Sequence, residues 1–113
     1  MTLSEIAQKL RLEVKAGDDA LANEARGGYA SDLLSDVIAH AREGDLWVTL
    51  QTHHNTIAVA SMKELAGIVL VHGRQPEPDT LEKAQEEHIP LLVSPLPAFE
   101  LIGQLYNLGL SGH

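Results

Sequence analysis

Sixteen Asp and Glu residues and six His residues make up most of the reactive side chains in a 113-residue sequence that has no cysteine. The adjacent pair His53-His54 raises the question of a metal. Two neighbouring histidines on a loop cannot easily meet one ion, and no third ligand stands at the spacing of an HExxH helix. Asp32 and Asp36 are four residues apart, so a helix spanning both would set two carboxylates on one face. Such a pair can work as acid and base or hold Mg²⁺. It can equally be solvent-facing, with Asp32 answering the helix dipole. Ser31 and Ser35 stand in no G-x-S-x-G turn, and Gly27-Gly28 belongs to neither a Walker loop nor a GxGxxG fingerprint. Without cysteine, disulfides, thiolate catalysis, zinc ribbons and Fe–S ligation are excluded. No catalytic set is recognisable, and the expectation is a protein that is not an enzyme.

Charge and composition narrow the partners. Eight Lys and Arg against sixteen acids leave a formal net charge of −8, which disfavours nucleic acid and anionic membranes as partners. The composition, 44% hydrophobic and 21% charged, is that of a globular chain. Its length predicts one domain over 1–113 that folds without metal or disulfide staples. Charged residues interrupt Met1–Ala20, so no signal peptide is expected, and no run of eighteen apolar residues could span a bilayer. A cytoplasmic location follows as an expectation. Gly112 and His113 are expected to fray.

The elements that would position these residues can be read from periodicity. Thr2 or Ser4 can cap a helix to Leu10, and Arg11–Lys15 alternates as a half-exposed strand ended by Gly17. A short strand over Glu24–Tyr29 runs into Gly27-Gly28, read as a turn. Ser31 or Asp32 is placed as the cap of a helix with the stripe Leu33, Leu34, Val37, Ile38 and Ala41. Leu46–Gln51 is a strand, and Thr56–Leu65 a helix apolar nearly all round. Gly67–Val71 reads as a buried parallel strand, and Pro78 suits the first turn of a polar helix to His88. Ile89–Val93 is a further strand, and Ala98–Leu108 a last helix closed by Gly109.

Four strand-to-helix steps predict an α/β fold: a single three-layer domain with a mostly parallel sheet of repeated βα units and helices on both faces. In such sheets ligands gather beyond the carboxyl ends of the strands. Four loops fall there: Gly27–Asp32, Thr52–Asn55, His72–Gln75 and Ser94–Pro97. They give the candidate ligand-binding residues Ser31, Asp32, Thr52, His53, His54, Asn55, Gly73 and Arg74. Helix N-termini there suit an anion, with Arg74, and its neighbour Arg26, as the basic side chains. Ser31, Asp32 and Asn55 serve as well as simple helix caps. The two apolar helices put Met62, Leu101, Ile102, Leu105 and Leu108 forward as an exposed patch and point to a homodimer.

The blocks GYASDLLSDV at 28–37, LWVTLQTH at 46–53 and NTIAVA at 55–60, with the later Ala66–Gly73 strand and the ending from Phe99 to Leu110, resemble the DRTGG domain family over about residues 26–110. The resemblance is to the N-terminal domain of HPr kinase/phosphorylase and to the regulatory DRTGG domain of CBS-type pyrophosphatases. It implies an accessory, dimerising α/β domain that responds to adenine nucleotides or another phosphorylated metabolite. Stand-alone members accompany iron-only hydrogenase systems, which implies a redox enzyme as an alternative partner for a protein adaptor. The literal DRTGG string is absent.

Overall fold

The computed structural model describes residues 1–112, so His113 lies outside the described residues. Its elements run α1 (Leu3–Leu10), β1 (Glu13–Ala16), a 3₁₀ turn at Asp18–Ala20, β2 (Gly27–Ala30), α2 (Leu34–His40), β3 (Asp45–Thr49), α3 (Asn55–Met62), β4 (Gly67–Leu70), α4 (Pro78–Glu86), β5 (Leu91–Val93) and α5 (Ala98–Asn107). The five strands form one sheet in the order β1-β5-β4-β3-β2. β2 to β5 are parallel, and β1 joins the far edge antiparallel to β5. The expected α/β architecture is therefore the one observed.

Alternation along the strands sorts the core into two layers, because successive side chains leave opposite faces. Trp47, Ile68, Leu70, Leu91 and Val93 pack with Val37, Ile57, Ala60 and Ala84, which brings α2, α3 and α4 onto one face. Leu46, Val48, Val69, Val71 and Leu92 pack with Leu3, Ile6, Leu101 and Leu105, which brings α1 and α5 onto the other. α1 starts with a capping box: Thr2 Oγ1 accepts from the Glu5 amide while the Glu5 carboxylate accepts from the Thr2 amide. Gly17 turns the chain from β1 with φ 70°, and a Cβ there would lie 2.2 Å from the Ile89 carbonyl. Only glycine allows that approach.

Several sequence expectations are corrected. Gly27-Gly28 is not a turn; the pair begins strand β2, beside Asp45 and Leu46 of β3. Neither Ser31 nor Asp32 caps α2, whose N-cap is Leu33 with no side-chain bond. Leu33 and Ile38 are exposed, because the short α2 turns only Val37, with Leu34 and Ala41 beside it, toward the sheet. In the apolar patch expected on α5, Leu101 and Leu105 are buried, at 0% and 4% exposure, and Phe99, Ile102 and Tyr106 face outward. Both stripes of this helix are apolar, so periodicity could not say which one the sheet would take. Met62 is exposed, but on α3 and so on the other side of the sheet.

Candidate functional site

The carboxyl ends of the parallel strands β2 to β5 carry the loops in which seven of the eight candidate residues lie; Asn55 opens α3 and is not its cap, which is His54. Each loop is shaped by bonds that the sequence did not announce. Ser31 takes the indole of the buried Trp47, whose Nε1 donates to the Ser31 carbonyl at 2.8 Å. The Asp32 carboxylate reaches across to the end of β3, where Oδ1 accepts from Thr49 Oγ1 at 2.9 Å and from the Leu50 amide at 2.8 Å. Gln51 Nε2 returns a bond to the Asp32 carbonyl at 2.8 Å. Asp32 thus caps the end of a strand, and this explains why it does not cap the helix beside it.

Thr52 is held by α4, its carbonyl accepting from Thr80 Oγ1 at 2.8 Å and from the Glu77 amide at 3.3 Å. His53 Nδ1 accepts from the Asn55 amide at 3.2 Å, a bond that needs this nitrogen unprotonated. The His53 and His54 rings face each other at 4.1 Å between centroids. His54 Nδ1 lies 3.1 Å from Asp79 Oδ2 but off the line of a hydrogen bond. After β4, His72 and Gly73 both take left-handed backbone angles, φ 57° and 64°. The His72, Gly73 and Arg74 amides donate to the Leu96, Ser94 and Val71 carbonyls, so these three amides are already taken and cannot cradle an anion. The Arg74 side chain is exposed.

The candidates do not all meet in one cavity. Ser31 and Asp32 line a pocket of about 210 Å³ with Ala30, Leu50, Val71 and Ala98. Because α5 begins at Ala98, its first turn, whose amides have no partner within the helix, stands on the rim of this pocket. His54 lines a separate cleft with Asp79, Glu82, Lys83 and Glu86. Thr52, His53, Asn55, Gly73 and Arg74 line neither.

Two expectations about charge are also corrected. Asp32 lies outside α2, so it shares no helix face with Asp36. Asp36 instead accepts from Tyr29 Oη at 2.7 Å and lies 3.1 Å from His40 Nδ1. The Tyr29 hydroxyl first, then Ser31 and His40, holds the Asp36 carboxyl below its ordinary range, and the same carboxylate raises the Tyr29 phenol. Arg26 precedes β2 and so sits at the amino ends of the strands, paired with Glu43 at 3.1 Å. The strand itself separates it from Ser31, and Arg74 is left as the one basic side chain in the four loops. Among the described residues no three His, Asp or Glu groups converge as a metal site would require. Among the described residues no helix is long and apolar enough to cross a membrane.

No family model and no curated protein matches the sequence. Among solved structures, the fold is similar to the CBS and DRTGG domains of the regulatory region of a pyrophosphatase from Clostridium perfringens, in complex with its activator diadenosine tetraphosphate. The similarity covers 90% of this chain with a TM-score of 0.73 at 14% sequence identity. This chain spans 44% of that structure, less than half its length. The two share a fold, the one the DRTGG resemblance implied, and the neighbour is a regulatory region and not a catalytic one.

Proposed function

We propose that this chain is a non-catalytic regulatory domain, a cytoplasmic homodimer that senses an adenine nucleotide or another phosphorylated metabolite. The observation that carries this reading is the fold shared with a pyrophosphatase regulatory region bound to a dinucleotide activator. The pocket at Ser31 and Asp32 supports it. Ligands of open α/β sheets gather at this end, and the first turn of α5 brings unpaired amides and partial positive charge to the rim. Arg74 is the basic side chain of the four loops at this end of the sheet; it is exposed, and among the described residues it makes no ion pair.

The test is a thermal-shift series with AMP, ADP, ATP and diadenosine tetraphosphate, followed by titration while recording the fluorescence of Trp47, the only tryptophan. A ligand at tenfold excess over its Kd should raise the melting temperature by about 5 °C. Replacing Arg74, whose side chain is exposed, by Ala should weaken binding of an anionic ligand without lowering the melting temperature of the free protein. No shift with any of the four compounds would overturn the nucleotide reading and favour a protein adaptor, whose partner would then be sought by pull-down.

A further inference from the structure

We propose that two copies of this chain join through α5 and the open edge of the sheet, each placing Phe99 in an apolar groove of the other. This inference rests on the homodimer reading and adds to it the surface involved. Three observations carry it. Phe99 is 87% exposed, more than any other large apolar side chain described, and Ile102 and Tyr106 follow it at helical spacing at 37% and 66%. Beside them lies a groove of about 190 Å³ between α5 and the edge strand β2, lined by Tyr29, Ala30, Val48, Leu105 and Leu110 and sharing Ile102 and Tyr106 with the Phe99 face. An apolar cavity of ~150 Å³ accepts a benzene ring, so the groove can take a phenyl side chain.

A knob and a hole on one continuous face are self-complementary. A two-fold axis then satisfies both at once, which is the condition for a closed dimer and not a fibre. Charge selects the same face. The chain carries −8, so two copies repel wherever acids meet. No residue lining the groove or the Phe99 face is charged, and the sequence carries no Asp, Glu, Lys or Arg after Glu100. Gly103 lies within this face, and a Cβ added there would meet nothing within 4 Å. A glycine in mid-helix weakens the helix, and here it lets a second helix approach closely.

The chain should sediment as a dimer, at twice its 12.2 kDa mass, over a range of about 1–500 µM. Phe99→Asp and Tyr106→Asp should each weaken dimerisation at least ~10-fold. Both side chains are exposed, so folding survives. An acid at 99, in the first turn of α5, also suits the helix dipole, whereas one at 106, in the last turn, opposes it at a site that exposure and salt screen. Met62→Asp, on α3 across the sheet, should leave the dimer within about twofold. Because the chain has no cysteine, Gly103→Cys adds a single thiol, which should form a disulfide-linked dimer on mild oxidation, whereas Met62→Cys should not. A monomer at every concentration would overturn both the homodimer and this interface. A dimer that survives Phe99→Asp but not Met62→Asp, or a mass that climbs without a plateau, would overturn this interface alone.

Discussion

Single residues settle much of the local structure through bonds across sequence distance. Glu43 and Glu64 meet at the amino end of the sheet, beside Arg26. A hydrogen bond shared between the two carboxyls lowers the Glu43 pKa, helped by Arg26, and raises that of Glu64. A carboxyl raised by folding contributes stability only below its unfolded pKa, and that contribution is lost as pH rises through the folded value. At neutral pH the contribution of Glu64 is gone, while Glu43, whose pKa is lowered, contributes favourably and loses that contribution only as acid protonates it. Glu64→Gln keeps a donor toward Glu43 and removes the second charge. The variant should melt above the parent at pH 7, with the difference closing as pH falls toward about 4, as a pH series of thermal melts would show. A lower melting temperature at pH 7 would contradict this account of the pair.

At the scale of elements, the crossover from β2 to α2 depends on Asp32. Its carboxylate accepts a hydroxyl and an amide at the end of β3, so the loop over the pocket is tied to the neighbouring strand. Bonds of this kind to a charged group contribute roughly 1.5–3 kcal/mol, and the exposure of Asp32 places the expected loss at the lower end. Asp32→Ala should lower stability by about 1–2 kcal/mol in chemical denaturation and weaken any ligand held at Ser31. Loss of binding with no loss of stability would show that Asp32 acts on the ligand itself. The Thr52 loop is fastened in the same way by Thr80 from α4. Residues that read as a ligand site in sequence therefore have structural work already, and the pocket is built from what remains around them.

The molecule as a whole is an acidic body with one uncharged apolar face. A dimer formed through that face brings two charges of −8 together, and salt screens their repulsion over a Debye length of ~10 Å at 0.1 M. Sedimentation at rising NaCl, from about 0.02 to about 0.3 M, should therefore show tighter association, by a factor on the order of 2–10. Weakening with salt would mean that opposite charges hold the copies together, which the uncharged face does not provide.

The order of strands and helices, the parallel run of β2 to β5 and the loops that face the ligand end were legible from periodicity, glycine and proline placement. These signals are local, and short crossovers leave few ways to assemble them. The DRTGG resemblance pointed to the same fold, which the pyrophosphatase structure shares. What the sequence could not tell was which partner each polar group would take. Asp32 stands in capping position beside α2, yet it bonds to Thr49 of β3, seventeen positions away, and to the Leu50 amide just after it. Asp36 follows at helical spacing and turns to Tyr29. Nor could it decide which apolar stripe of α5 is buried, since Leu101 and Leu105 lie on one and Phe99, Ile102 and Tyr106 on the other. The sheet accepts a single stripe of any helix laid on it, and only the packed structure shows which one it took and which it left exposed.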